Sequence, residues 1–437
     1  MTPFLTDLDP RAAVKGSRDP LGIQAIWTRF GRHVVGNLSN ASNSVRDFTI
    51  LILGYHFAAR VADVTGPGTE LATFLKWEQL AAYARAHVNN DWGFRGTERV
   101  WRNLDERVVT LSAETAHQIL SSQKAYGIWG LYSVPGRASG LLNGQPARLT
   151  APAQELVERT YLASLTRAGL HDGKRLVELF TKDQVKLDLA RAPDKSILQA
   201  VAGLIEANVG AVERQFYREH LLHGGPNDST EGRQRQFAEL LESRLTTEAF
   251  QWTPATVIAF AKEAEKRGEQ WQSLGFYLRR IETAERILAP ASELFTYLLG
   301  CDGVAIAEIT KRMRQEEGWG HTVTTIPLAA TSHLKAELGH HDDHAGQRWL
   351  EIADSMATGD YSQLITLLVQ QNKSVMHSRG GAAWIEEEKG LLKVRVTEER
   401  GHLPRRTDLQ TLWRFPYFLN SLCSVAAALQ EKRHTTS

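Results

Sequence analysis

The stretch Ser112–Leu165, SAETAHQILSSQKAYGIWGLYSVPGRASGLLNGQPARLTAPAQELVERTYLASL, carries the strongest fold signal of the chain. Ser112 is a typical helix N-cap, so the residues that follow it predict a helix up to Gly127. A second short helix is expected next. It is followed by an Asn143-Gly144-Gln145-Pro146 turn and a third helix that starts at Thr150-Ala151-Pro152. Helix, helix, hairpin and helix in this order predict a winged helix-turn-helix.

The charge of this stretch favours a nucleic-acid contact. Between Gln123 and Ala151 no acidic residue occurs, and the basic residues are Lys124, Arg137 and Arg148. Basic side chains at a helix end and on a wing can contact backbone phosphates of DNA. Many winged helices mediate only protein contacts, so a protein-interaction module is the alternative.

Three aromatic residues of the same stretch are spaced as one face of a helix. Tyr126, Trp129 and Tyr132 follow one another at intervals of three. Large rings on one helical stripe usually pack inward, so all three are expected in the core.

Composition describes an ordinary globular chain of several domains. The chain has 437 residues, of which 42% are apolar and 23% charged, with 51 basic and 50 acidic residues. Net charge therefore neither indicates nor excludes nucleic acid. Two distant cysteines, Cys301 and Cys423, fit a reducing cytoplasm without disulfides. The apolar run from Phe48 to Ala62, interrupted by His56 and Arg60, is expected to be too short and too charged to span a membrane.

Helical periodicity dominates the chain and predicts a mainly α, multi-domain protein. Helices are expected over 21–35, 45–63 with Ser44 as N-cap, 69–88, 171–189, 196–222, and from about 408 to 430 with a kink at Pro416. A C-terminal β-hairpin is expected where AAWIEEE and LLKVRV meet at Lys389-Gly390, and the segment 321–333 could be a short strand. The predicted domains are an N-terminal helical domain (1–110), the winged helix-turn-helix (111–165), a central helical domain (166–330), and a C-terminal helical domain with the hairpin (331–437).

Two further groups of basic residues could contact phosphates. Residues 11–60 contain seven basic and two acidic residues, and an Asn/Ser-rich loop there runs into a helix N-terminus. The predicted phosphate contacts in this block are Arg29, Arg32 and Arg46. Near the C-terminus Arg379 precedes Gly380-Gly381, which leaves its guanidinium little covered. The alternative for the first group is an ordinary solvated face with a capped loop. The alternative for the second is a Gly-Gly turn, with Trp384, Trp413 and Tyr417 packing the hairpin on the last helix.

Catalytic and metal-binding patterns are weak in this chain. His340 and His344 share one face of a helix, and Asp343 lies beside them, which suits a transition metal. No second cluster supplies further ligands, so a solvated helix start is favoured. Arg214 and His220 resemble the Arg–His pair of a helical nucleotide-binding ribonuclease family. No P-loop, Rossmann glycine motif, nucleophile elbow or Cys-x2-Cys pair occurs, and no cofactor is expected.

Several segments are similar to uncharacterised helical proteins encoded in prokaryotic anti-phage defence islands. The similarity is carried by DPLGIQAIWTRFGRHVVGNLSNASNSVRDFTILILGYHF (19–57), GIWGLY (127–132), RGGAAW (379–384) and LWRFPYFL (412–419). The resemblance implies a bacterial cytoplasmic setting and a role beside other defence proteins. It assigns no catalytic residue.

Taken together, these patterns predict a non-catalytic DNA-binding adaptor within a multi-protein defence or DNA-processing complex. Two alternatives remain open from sequence. One is a nuclease that uses a metal at His340 and His344, or the Arg214–His220 pair. The other is a protein-interaction scaffold without affinity for DNA.

Overall fold

The computed structural model describes residues 19–245, 251–315, 319–320, 344–396, 403 and 405–430. These residues form mainly helices with three small two-stranded sheets, which confirms the predicted mainly α class. Contacts divide the chain into two compact units. Unit 1 comprises Met1–Val34 and Glu248–Tyr417, and unit 2 comprises Val35–Thr247 and Phe418–Ser437. The predicted segment 111–165 lies wholly inside unit 2, and the four-domain division stays a prediction.

The described helices are, in chain order, α1 Ile23–Arg32, α2 Val45–Thr65, α3 Glu70–His87, α4 Thr97–Leu104, α5 Gln123–Tyr126, α6 Ile128–Ala138, α7 Ala151–Leu156, α8 Ala163–Arg167, α9 Lys174–Phe180, α10 Ala192–Leu204, α11 Ala211–Tyr217, α12 Arg233–Leu245, α13 Pro254–Lys266, α14 Gln272–Leu298, α15 Ile306–Gln315, α16 His344–Thr358, α17 Tyr361–Ser378, α18 Arg406–Thr411 and α19 Leu419–Leu429. Two π-helical turns occur, Val157–Leu162 between α7 and α8, and Arg218–Leu222 after α11.

The described strands are β1 Val108–Ser112, β2 Leu142–Asn143, β3 Arg148–Leu149, β4 Gln184–Asp188, β5 Ile385–Glu388 and β6 Leu391–Val394. They pair antiparallel as β1–β4, β2–β3 and β5–β6.

Helix α2 is the core of unit 2, and it packs against α3, α6 and α9. The predicted N-cap is confirmed, because the Ser44 side chain accepts a hydrogen bond from the backbone N–H of Asp47 at 3.2 Å. Gly54 allows α3 to approach closely. A Cβ at this position would lie 2.4 Å from Cε2 of Phe74 and 2.9 Å from Cδ1 of Trp77. The two helices therefore depend on a glycine at their contact.

By length and composition alone α2 could also cross a membrane. It has 21 residues, which exceeds the apolar run expected from sequence, and 67% of its most apolar 18-residue window is buried inside the protein. Core helices of soluble proteins meet the same criteria. The absence of a membrane contact therefore stays a prediction.

The predicted helix after Ser112 is wrong. Ser112 is instead the last residue of strand β1, which pairs antiparallel with β4 from Val108 opposite Asp188 to Ser112 opposite Gln184. The buried Gln79 side chain binds both backbone groups of Ser112, donating to its carbonyl at 2.8 Å and accepting from its N–H at 2.9 Å. These bonds occupy the backbone as a neighbouring strand would, so Ser112 does not cap a helix. The residues that follow it form a 3-10 turn, Thr115–His117, before α5.

The remaining parts of the predicted stretch 112–165 are confirmed. Helix α6 follows Gly127, and strands β2 and β3 pair Leu142 with Leu149 and Asn143 with Arg148. Thr150 closes the hairpin, donating its hydroxyl to the carbonyl of Gly140 at 2.7 Å, and α7 begins at the next residue. A helix, a hairpin and a helix are therefore present, without the first helix of a winged helix-turn-helix.

Other predicted helices are interrupted. The segment 171–189 contains α9 and then strand β4, and the segment 196–222 is divided by a break between α10 and α11. The C-terminal segment is broken rather than kinked, since α18 ends at Thr411 and α19 begins at Leu419, on either side of Pro416. The segment 321–333 lies outside the described residues.

Unit 1 is built on α14, which packs against α13 and α1. The predicted C-terminal hairpin is confirmed, with Ile385 opposite Val394 and Glu388 opposite Leu391. Glu285 of α14 is fully buried. It accepts hydrogen bonds from the Tyr417 hydroxyl at 2.8 Å and from the Phe415 N–H at 3.2 Å. Burial raises the pKa of Glu285 to about 7.

Two glycine substitutions test the packing of α2 on α3. Gly54→Ala should destabilise the protein by about 1–3 kcal/mol, because the added methyl group meets the Phe74 ring. The matched control is Gly203→Ala in α10, where an added Cβ meets nothing within 4 Å and the residue is exposed. That control should stabilise by about 0.5 kcal/mol through helix propensity. Urea unfolding measures both, and equal effects of the two variants would contradict the close contact.

Candidate functional site

A groove of about 670 Å³ opens on the surface of unit 2. Its walls come from α2, the loop that joins α2 to α3, the first turn of α3, the consecutive helices α5 and α6, and the hairpin β2–β3. This volume lies within the usual range for ligand pockets in proteins. The groove therefore includes residues of the segment 112–165, for which a winged helix-turn-helix was predicted.

The three basic residues predicted in this region all line the groove. Lys124 comes from α5, Arg137 from α6 and Arg148 from β3; Lys124 and Arg148 are exposed and Arg137 is half-buried. Among the residues that the structure describes, none of these three side chains forms an ion pair or a hydrogen bond. Of the described residues that line the groove, one is acidic: Glu70, whose carboxylate accepts a hydrogen bond from the Gly68 N–H at 2.8 Å. The groove therefore has a net positive lining.

Aromatic rings form one side of the groove. Trp129 stacks on Tyr55 with ring centroids 5.0 Å apart, and it meets the edge of Phe74 at 5.1 Å. The Tyr55 hydroxyl lies 2.9 Å from Oγ of Ser133. Burial raises the pKa of Tyr55, while Ser133 and the charge of Arg137 oppose the rise. Tyr55 therefore presents a neutral hydroxyl at neutral pH.

Helix spacing explains why these groups share one side of the groove. Trp129, Ser133 and Arg137 are four residues apart along α6, so they lie on one face. The prediction that Tyr126, Trp129 and Tyr132 all lie in the core is confirmed only in part. Tyr132 is fully buried, Trp129 is half-buried, and Tyr126 is 57% exposed because α5 ends there and α6 starts after Gly127. The spacing of Trp129, Ser133 and Arg137 was the signal for the groove, and sequence reasoning missed it.

Buried polar groups of α3 hold α5 and α6 in place. Glu78 accepts hydrogen bonds from the Ile128 N–H at 2.7 Å and from the Gln123 side-chain amide at 2.8 Å. Gly127 leaves room for this carboxyl group, since a Cβ there would lie 2.6 Å from Oε1 of Glu78. Burial raises the pKa of Glu78 to about 7, although both hydrogen bonds oppose the shift.

Arg46 is one of the predicted phosphate contacts, but it lies in the interior of unit 2. Its guanidinium donates to Glu213 at 2.5 Å, to the carbonyl of Asn208 at 2.5 Å and to the carbonyl of Glu206. Tyr161 donates to the same Glu213 carboxylate at 2.6 Å, and both charged side chains are about 9% exposed. A phosphate could reach Arg46 only if this buried cluster were dismantled.

The other predicted basic contacts belong to unit 1. Arg29 and Arg32 occupy the last turn of α1, and burial lowers the pKa of Arg32. Arg379 follows α17 and binds Asp19, with Nη1 donating to the Asp19 carbonyl at 2.5 Å. This contact joins two segments of the defence-island resemblance, DPLG and RGGAAW. None of these three arginines lines the groove.

The catalytic alternatives gain no support from geometry. Arg214 donates to the carbonyl of Val209 at 3.1 Å, whereas Nδ1 of His220 lies 2.9 Å from the carbonyl of Ser139 and the His220 ring stacks on Phe216. The two side chains therefore engage separate partners rather than a shared pocket. His340 and Asp343 lie outside the described residues, as does the side chain of His344. In the described part of the chain no three His, Cys, Asp or Glu residues cluster as a metal site.

Comparison of the chain with protein-family models, with curated proteins and with solved structures returns no match.

Substitution of Arg46 should show a structural role. Arg46→Met leaves Glu213 buried without its ion-pair partner, so we expect a loss of about 3–5 kcal/mol in the free energy of unfolding. Arg148→Met, on the exposed hairpin, is the control and should change stability by less than about 0.5 kcal/mol. Urea denaturation compares the two. A stable Arg46→Met protein with weakened DNA binding would restore Arg46 as a DNA contact.

Buried Glu78 should make stability depend on pH. Because its pKa is raised in the folded state to about 7, its contribution is full below the unfolded value near 4.5 and is lost as pH rises through about 7. The side chain of the Glu78→Gln variant cannot ionise. Between pH 5 and pH 8 the variant should therefore lose less stability than the wild type, by up to roughly 3 kcal/mol in the free energy of unfolding. Thermal unfolding over this range measures the change. Glu98→Gln, on an exposed glutamate, should leave the pH profile as it is.

Proposed function

We propose that this protein is a non-catalytic DNA-binding adaptor and that the groove of unit 2 is its DNA-binding site. The observation that carries the proposal is the convergence of Lys124, Arg137 and Arg148, three cations without counter-charges in the described chain, on one groove. Cations that no carboxylate neutralises are available to phosphate oxygens, and the counterions they displace from DNA favour binding.

The hairpin β2–β3 takes the part of a wing in this proposal. It carries Arg148 opposite Asn143 at the exposed end of the module, beside the groove. The resemblance to a winged helix-turn-helix is incomplete, because the residues expected to form its first helix contain a 3-10 turn, Thr115–His117, and the single turn α5. Arg148 would contact the DNA backbone rather than base edges, so the expected binding is independent of sequence.

Membership of a multi-protein complex is part of the same proposal, together with a bacterial cytoplasmic setting. The setting follows from the defence-island resemblance. A protein contact is supported by two exposed tryptophans of unit 2, Trp92 (38% exposed) and Trp101 (60% exposed), which line a shared surface depression with Arg102. Tryptophan and arginine are enriched where proteins bind one another, and an exposed pair of indoles is uncommon on a free surface.

Salt-dependent binding to labelled DNA tests the proposal. Arg148→Gln should weaken binding about five- to tenfold at 0.1 M salt on every sequence and lower the salt slope by about one. The control is Arg159→Gln, because Arg159 is 79% exposed but already paired with Glu155 at 2.8 Å. That control should bind as the wild type does.

The same assay separates the other functional classes. Binding should be insensitive to EDTA, and the DNA should stay intact with Mg²⁺ present. Cleavage that EDTA abolishes would favour the nuclease alternative at His340 and His344. No binding of DNA at low salt would leave the protein-interaction scaffold.

A further inference from the structure

We infer that the groove takes an unpaired stretch of DNA, with one base against Trp129 and its flanking phosphates on Arg137 and Arg148. The inference rests on the proposed function and names its substrate class. It depends on three features of the groove, which are its concave shape, its aromatic side and the arrangement of its cations.

The shape of the site favours a single strand over a duplex. Proteins that read duplex DNA present a projecting helix or ribbon to a groove of the DNA. Here the cations surround a cavity of about 670 Å³, and small residues on α2 and α6 (Ala58, Ala59 and Gly130) line it. A cavity of this kind receives an inserted group, and the bases of a duplex are stacked inside the helix. An unpaired base is free to enter.

The aromatic side offers a surface on which a base can stack. One face of the Trp129 indole is covered by Tyr55, while the side chain as a whole remains half-buried and lines the groove. Stacking of a base on an aromatic ring is tolerant of sequence, because every base has a π face. Tyr55 and Phe74 hold the indole in place, so little side-chain freedom is lost on binding.

The cations are placed on separate elements around this ring. Arg137 lies two turns along α6 from Trp129, on the same face, and Ser133 lies between them. Lys124 and Arg148 line the same groove from two other elements, α5 and β3. A nucleotide carries a base with a phosphate on each side, and this combination of one ring with several cations is typical of single-strand binding grooves.

The test compares an oligothymidine with a hairpin duplex of the same number of nucleotides, by fluorescence anisotropy at one salt concentration. We expect the wild type to bind the oligothymidine at least about tenfold more tightly. Trp129→Leu should weaken oligothymidine binding about tenfold, leave duplex binding as it is, and leave the salt slope unchanged, because stacking releases no counterions. Trp101→Leu, outside the groove, is the matched control and should bind both as the wild type does.

A second variant protects the test against misfolding of Trp129→Leu. Ala59 is half-buried on α2 and lines the groove, so Ala59→Leu fills the cavity without adding charge. It should weaken oligothymidine binding and spare duplex binding. Circular dichroism at the assay temperature verifies that each variant is folded.

The outcomes distinguish the inference from the proposed function. Equal affinity of the wild type for both DNAs would overturn the single-strand inference alone. The same holds if the folded Trp129→Leu and Ala59→Leu proteins keep full oligothymidine affinity while Arg148→Gln binds weakly. Thymidine monophosphate that competes as well as the oligomer would also overturn it, in favour of a free-nucleotide pocket. A wild-type protein that bound neither DNA would overturn the proposed function itself.

Discussion

Two adjacent buried side chains of α3 determine how the groove is assembled. Glu78 binds the N-terminus of α6 and the side chain of Gln123, and Gln79 binds the backbone of Ser112. Through them one helix holds a strand and two further helices. Buried polar groups bind at fixed geometry because an unpaired donor or acceptor in the interior is costly. The position of Trp129 and Arg137 follows from these bonds.

The charge distribution of unit 2 also depends on buried polar groups. Arg46 and Arg85 are buried, and each is paired with a carboxylate, Glu213 and Asp47 respectively. Each of these charges is neutralised by its carboxylate partner inside the protein, so it is not available to a ligand. The cations of the groove have no ion-pair partner in the described chain, so their charges remain available to a ligand. A chain with almost equal numbers of basic and acidic residues can thus present a positive site.

Sequence reasoning found the groove's cations but not the groove. It identified Lys124, Arg137 and Arg148 from a local excess of basic residues, and it placed α6, the hairpin and α7 correctly. It missed Tyr55 and Ser133, since one lies in a core helix and the other has no distinctive neighbour. It also counted Arg46 as a surface residue, because burial of a charged side chain depends on a partner, Glu213, far along the chain.

Caps, turns and hairpins that depend on neighbouring residues could be predicted from the amino-acid sequence. The Ser44 cap, the Asn-Gly turn and the Lys389-Gly390 hairpin depend on residues within a few positions of one another, so the amino-acid sequence by itself determined them. Tertiary structure alone decided that residues 108–112 form a strand. Their partners are β4 and Gln79, distant in sequence, and through these contacts Ser112 ends a strand instead of capping a helix. The groove likewise depends on tertiary structure, because its walls come from three separate stretches of the chain and its positive lining depends on which charges are buried elsewhere.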